Sequence, residues 1–455
     1  MPTVPSMSGS RSCRVGPHDR RVLHRPTGWG SIFWNSCSGN VKCSVAARAS
    51  RAENRSSGNS DDSPMNASVL PSTFNGYVRE DGRVGTRNYI GVLVVGNCAA
   101  TAARQVAAWF TPKRLAAYPN VDGVVPFVHE LGCGMEKSGE PMDLLRRTLG
   151  GSIRNPNLAG AVVMALGCER NNIYGFLEQE GLEPGPMLKT MVLQEVGGTR
   201  AAIDGGIAAV EDMLIAANRF VRTRASVEHL VVGLLAQPDL DACNVHAALG
   251  HAVDRLVAEG GTAIVTDTAR NAPRLAARSG SGDVRNALEQ RIDWWTRYTA
   301  NRDTPIPDIE PVREAPSSLP HSGSTPLQAV FSYGQPVATK GLVLMDCPGH
   351  EAAASSGLVA SGATMIGIAS RGVSIFGATG APTLKLAVSA AQFARYSDDL
   401  DIDGSVVDAG SVSIEALGDA IFNRWLACAS GDATRSEELG IGECEFVPWS
   451  IGVLA

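Results

Sequence analysis

The stretch Val124-Val125-Pro126-Phe127-Val128-His129-Glu130-Leu131-Gly132-Cys133-Gly134-Met135 decides how the chain is read. Its β-branched apolar half fits a buried strand. The run stops at an imidazole, a carboxylate and a thiol, and glycines on both sides of Cys133 permit backbone angles that bring main-chain N–H groups and the sulfur toward a ligand. The competing interpretation is a core histidine beside a buried structural cysteine, since cysteine is among the most buried residue types.

Repetition decides between the two. A strand over 90–95 ends at Gly96-Asn97-Cys98, and another over 161–166 ends at Gly167-Cys168-Glu169-Arg170-Asn171-Asn172. Helical patterns at 101–110, 139–150, 171–181 and 198–219 lie between or after them. In open α/β sheets, ligands sit outside the carboxyl ends of the strands. Cys98, His129, Cys133 and Cys168 are therefore expected at one edge, as a site.

The rhythm continues with strands over 230–235, 262–266, 341–345 and 364–369 and helices over 245–259 and 284–298. The strand at 341–345 ends in Asp346-Cys347-Pro348-Gly349-His350, and that at 364–369 in Ser370-Arg371-Gly372. Residues 301–326 are rich in proline and serine and read as a long loop. Asp398-Asp399-Leu400-Asp401-Ile402-Asp403 reads as a solvated acidic face, with a cation site as the lesser alternative. The expected fold is α/β, with two Rossmann-like parallel-sheet domains over 74–225 and 226–455.

At 455 residues, 44% hydrophobic and 19% charged, the composition suits a globular protein of two or three domains, and 49 glycines suit many tight strand-to-helix turns. A net charge of -6 without a long basic stripe excludes nucleic acid as the main partner, and no apolar run reaches membrane-spanning length. Ten scattered cysteines without a C-x-x-C pair point to a reducing compartment, the cytoplasm, with thiols kept for metal or packing. Residues 1–73 carry many arginines and serines and almost no acids before Asp61, without helical or strand period. They are expected to be a disordered or mis-called extension, with Met65 opening a more conventional start.

Several motifs together resemble the altronate/galactarate dehydratase family, sugar-acid hydro-lyases whose large domain is shared with the large subunit of sulfolactate sulfo-lyase. They are Gly82-Arg83-Val84-Gly85-Thr86-Arg87-Asn88, Asn97-Cys98, His129 with Gly132-Cys133-Gly134, Gly167-Cys168-Glu169, Gln194-Glu195-Val196-Gly197-Gly198-Thr199, Met345-Asp346-Cys347-Pro348-Gly349 and Phe446-Val447-Pro448-Trp449. The resemblance runs from about 76 to 450. It implies a hydroxy-acid substrate and a divalent metal, iron in the ferrous state with manganese as the alternative, on His129, Cys133, Cys168 and Cys98. Glu169 or His129 is then the base, Arg87 and Lys385 are candidates for the substrate carboxylate, and Arg83, Asn88 and Arg371 are further substrate contacts. For Arg83, Arg371 and Lys385, structural ion pairing competes with these roles. A homo-oligomer stays open. So does a separate small β-rich subunit, because the β-rich N-terminal domain of many family members has no counterpart in the first 75 residues.

Two departures stand out. Where the family has a Gly-Leu-Gln-Cys-Gly-Gly-Ser-Asp-like turn, this chain has Gly233-Leu234-Leu235-Ala236-Gln237-Pro238-Asp239, and the family's Asn- and Lys-containing loop after Trp294-Trp295 is replaced by Thr304-Pro305-Ile306-Pro307-Asp308 and unrelated residues. The alternatives are thus a lyase for another hydroxy acid, sulfolactate included, or a sugar-acid-binding relative without turnover.

Overall fold

The computed structural model describes residues 72–236, 243–267, 272–300, 320–370, 372, 374–442 and 446–450. Arg371, most of the rewritten turn (237–239), the loop 301–319 and residues 1–71 of the expected extension lie outside the described residues. Ser72 and Thr73, assigned above to the extension, belong to the fold. Ser72 donates its N–H to Glu259 Oε2 at 2.7 Å, and Thr73 begins the first strand.

The first half contains β1 (Thr73–Val78), β2 (Val84–Gly85), β3 (Tyr89–Val94), β4 (Gly123–Phe127), β5 (Leu158–Ala165), β6 (Leu188–Val192) and β7 (Arg222–Ser226). β3 to β6 form a parallel sheet in the order β4-β3-β5-β6. Both faces are covered, which is why Ile90, Val92, Leu93, Val162, Val163 and Met164 are all buried in strands without polar alternation. One face packs on helices Ala100–Trp109 and Thr199–Ala217, the other on Glu140–Ile153 and Ile173–Glu180. β1, β2 and β7 form a separate antiparallel ribbon.

The second half contains β8 (Val231–Ala236), β9 (Thr262–Asp267), β10 (Leu327–Phe331), β11 (Gly341–Asp346), β12 (Met365–Ala369), β13 (Thr383–Ala387) and β14 (Ile402–Asp403). They make an all-parallel sheet in the order β10-β11-β9-β8-β12-β13-β14. The order reverses between β3 and β5 in the first sheet and between β8 and β12 in the second, and such switch points are where open sheets leave a crevice for ligands.

Contact between the halves is close and polar. Asn155 Nδ2 donates to Val359 O and Ala363 O, each at 2.8 Å, and Asn157 Nδ2 donates to Thr364 O at 2.9 Å and Gly380 O at 3.0 Å. A methyl group at Gly151 would sit 2.3 Å from Ala360 O, so glycine there allows helix Glu140–Ile153 to lie against helix Glu351–Ala360. Ser68–Ala455 accordingly forms one compact unit, with two parallel sheets and the small antiparallel ribbon. Among the described residues no helix is long and apolar enough to cross a membrane.

Candidate active site

Three loops leave the carboxyl ends of β3, β4 and β5, and backbone hydrogen bonds tie each to the others. Asn97 N–H donates to Leu131 O at 3.1 Å, Asn171 N–H to Gly132 O at 3.1 Å, and Asn171 Nδ2 to Val95 O at 3.0 Å. Gly132 (φ +102°) lies so near the first loop that a Cβ would meet Gly96 Cα at 2.5 Å, and a Cβ on Gly96 would meet Glu169 Cγ at 2.6 Å. Glycine is required here because the loops touch backbone to backbone. The resulting platform carries Cys98, Cys133 and Cys168, all exposed free thiols, with the sulfurs of Cys98 and Cys133 3.9 Å apart. Burial raises the Cys98 thiol above its ordinary range, reinforced by the Cys133 contact and by Glu169 and Cys168. Each of the three cysteines follows the carboxyl end of its own strand, β3, β4 or β5.

His129 is on the same edge but does not act as a ligand or base there. Its Nε2 bonds to Val94 O at 2.9 Å, and its Nδ1 accepts the Leu131 N–H at 3.1 Å. With a carbonyl on one nitrogen and an N–H on the other, the ring is the neutral Nε2–H tautomer. Burial holds its pKa down to about 4. Both nitrogens are spent on holding the second loop to β3, so His129 positions the platform. Glu169 has a similar task, its oxygens accepting the N–H groups of Leu166 and Gly167 within its own loop.

The expected substrate cations are elsewhere. Arg83, Arg87 and Asn88 precede β3 while Cys98 follows it, and a parallel strand of six residues separates its two ends by about 20 Å. Arg87 is buried and pairs with Glu437, Nε to Oε1 at 2.7 Å and Nη2 to Oε2 at 2.8 Å, while Nη1 donates to Cys428 O at 2.9 Å. Burial opposes its charge, but the Glu437 carboxylate outweighs that and raises its pKa. Asn88 is fully buried, donating to Asn120 O and Ala217 O. Arg83 is exposed and pairs with Asp81 at 2.6 Å. Lys385 is 1% exposed in mid-β13, its backbone bonded both ways to Asp401. Arg87 and Asn88 therefore serve the fold, and Arg83 is engaged in a surface ion pair. The acidic cluster is no open cation site either, because Asp401 is occupied by the N–H groups of Lys385 and Arg435 at 2.8 and 2.9 Å.

Beside the platform opens a cavity of about 690 Å³. From the first sheet's edge come Asn97, Arg104, Glu130 and Leu131, and from the loop after β11 come Pro348 and His350. Residues 446–450 close it. Phe446 packs edge-on against Phe127 at 5.2 Å, Trp449 stacks on Trp295 at 5.4 Å, and Trp449 N–H donates to Tyr333 Oη at 3.1 Å. His350 caps helix Glu351–Ala360, its Nδ1 accepting the Ala353 N–H at 3.5 Å, which orients the ring and leaves Nε2 for a ligand. The carboxyl edges of both sheets thus supply one pocket with an exposed carboxylate, imidazole and guanidinium. Sequence reasoning passed over Arg104 and gave Glu130 and His350 no role, although each of the latter follows a strand end.

The single-ion metal site expected on His129, Cys133, Cys168 and Cys98 does not fit this geometry. Among the described residues no group of three or more His, Cys, Asp or Glu side chains converges on one ion, and the imidazole is already bonded.

Comparison with known proteins gives two family matches. The profile for the second domain of D-galactarate dehydratase/altronate hydrolase matches residues 76–218, and that for the C-terminal part of D-galactarate/altronate dehydratase matches residues 315–454. An altronate dehydratase of Bacillus subtilis is 25% identical, covering 80% of this chain and 76% of that protein. A galactarate dehydratase (L-threo-forming) of Escherichia coli is 28% identical, covering 81% and 75%. The (2R)-sulfolactate sulfo-lyase subunit beta of Chromohalobacter salexigens is 24% identical, covering 81% of this chain and 95% of that subunit.

Proposed function

Since the chain belongs to the D-galactarate dehydratase/altronate hydrolase family, we propose that it is a hydro-lyase that dehydrates a sugar acid to a 2-keto-3-deoxy acid in the cavity between the two carboxyl edges. The observation that carries this reading is the meeting in a single pocket of Glu130, from the loop after β4, and Arg104, from the helix after β3, with His350 from the loop after β11. Dehydration removes the hydrogen on the carbon beside a carboxylate and expels the neighbouring hydroxyl, so it needs a base, an acid and a cation for the enediolate charge. Glu130 takes the carbon-bound proton. The leaving hydroxyl departs as water with the proton that Glu130 passes on, while the Nε2–H of His350, oriented by its cap, donates a hydrogen bond to that oxygen, and Arg104 holds the carboxylate through two parallel hydrogen bonds. The apolar wall of Phe446, Val447 and Trp449 limits water around the developing charge.

A second reading is a sulfo-lyase-like chain working with a separate small β-rich subunit on another hydroxy acid. It is favoured by the match over 95% of the sulfo-lyase subunit. The test for both is a panel of hexonates, hexarates and sulfolactate, incubated with protein purified without oxygen and assayed for 2-keto acid and for sulfite. Keto acid without sulfite supports the hydro-lyase, sulfite supports the second reading, and neither product from any substrate overturns both.

A further inference from the structure

We infer that Cys98, Cys133 and Cys168 together hold one four-iron, four-sulfide cluster, in place of a single ferrous ion. Only what the cluster does for a hydroxy acid rests on the hydro-lyase reading. The donors are three thiols and nothing else, and all-thiolate sets suit iron–sulfur centres. A single tetrahedral ion needs its ligands at about 2.3 Å, hence gathered closely around one point. Here only the Cys98 and Cys133 sulfurs, 3.9 Å apart, are that near, and no third donor among the described residues completes a single-ion group. Loops from adjacent strands, whose axes run about 4.8 Å apart, suit a larger core that reaches all three.

Two further observations agree. The platform is rigid, fixed by Asn97, Asn171 and His129 bonds before any metal arrives. It is also open above Gly134, where no atom lies within 4 Å of a would-be Cβ. Three thiolates would leave one of four irons without a protein sulfur, and the cavity lined by Asn97 and Leu131 adjoins the loops that carry Cys98 and Cys133. The ligand class for that iron is a hydroxy acid, bound through hydroxyl and carboxylate oxygens.

The test is iron and acid-labile sulfide content of the full chain, purified without oxygen and then reconstituted with ferrous iron and sulfide, together with visible absorption and electron paramagnetic resonance of the reduced form. Expected are about four iron and about four sulfide per chain, lost in Cys98→Ser, Cys133→Ser and Cys168→Ser and kept in Cys428→Ala, with circular dichroism unchanged in all three serine variants. About one iron without sulfide, no iron after reconstitution, or full cluster content in any of the three serine variants overturns the inference. A cluster present without turnover of any hydroxy acid leaves the inference standing and removes the hydro-lyase reading. Turnover in cluster-free protein does the reverse.

Discussion

His129 bonds through Nε2 to the carbonyl of Val94 at 2.9 Å while its Nδ1 receives the N–H of Leu131 at 3.1 Å, so the residue most suggestive of chemistry in the sequence is a clamp between a strand and a loop. Its folded pKa of about 4 lies below the ordinary 6.5. As pH falls below 6.5 the unfolded chain binds a proton that the folded chain refuses, so stability drops until the folded pKa is reached, by up to about 3 kcal/mol. Urea unfolding at pH 7 and pH 5 should therefore show a larger loss for the wild type than for His129→Gln. Equal losses would mean that the ring titrates freely. At pH 7 the substitution should cost about 1 to 3 kcal/mol through the backbone groups it strands.

Arg87 and Glu437 form a two-bond ion pair with side chains 4% and 22% exposed. Removing one partner leaves the other charge largely desolvated, so Arg87→Ala should lose about 3 kcal/mol or more, and Arg87→Met with Glu437→Leu should lose much less. Thermal melts of the single and double variants measure this. A raised KM for Arg87→Ala with an unchanged melt would instead return the guanidinium to the substrate.

Gly132→Ala tests the platform. The added methyl would sit 2.5 Å from both Gly96 Cα and Val95 O at a φ of +102°, so the first and second loops must separate. The expected result is a lower melting temperature and a longer Cys98 to Cys133 separation, read as slower cross-linking by a short bis-maleimide. Wild-type cross-linking would contradict the close packing.

The sequence showed most of the first sheet, because 90–95, 121–128 and 161–166 are apolar runs ended by glycine, and the structure places strands over much of those spans. β6, Leu-Lys-Thr-Met-Val, and β10, Leu-Gln-Ala-Val-Phe, were passed over because polar residues interrupt the apolar signal in half-buried strands. β1 and β7 pair across most of the first half, and such distant antiparallel pairing leaves no local period. The cysteine edge was legible because each thiol follows its own strand. The roles of Arg87 and His129 were not, since the Glu437 that claims Arg87 lies 350 positions away and the groups that claim His129 are backbone atoms. Glu130 and His350 share a pocket only because two sheets turn their carboxyl edges toward it, which no single stretch of sequence records.

β8 and β12 leave the second switch point at Ala236 and Ala369, and the cysteine and paired glycines that the resemblance implies there are replaced by Ala236, Gln237 and Pro238. Losing one set of preorganised donors typically costs about a hundred- to a thousandfold in rate. Altronate and galactarate should accordingly be dehydrated slowly, with another hydroxy acid preferred in the panel. Steady-state kcat on these two acids at the rates of the relatives measured alongside would show that the turn is dispensable.

The most direct measurement is kcat of Glu130→Gln and His350→Gln on whichever acid the panel identifies, followed by proton NMR in deuterium oxide with melting curves alongside. The account predicts a fall of about a hundredfold or more in each variant, without loss of stability in Glu130→Gln and with about 1 kcal/mol lost in His350→Gln through its helix cap, and one solvent deuterium at carbon 3 of the wild-type product. Wild-type kcat in both variants would contradict the placement of the reaction in this cavity.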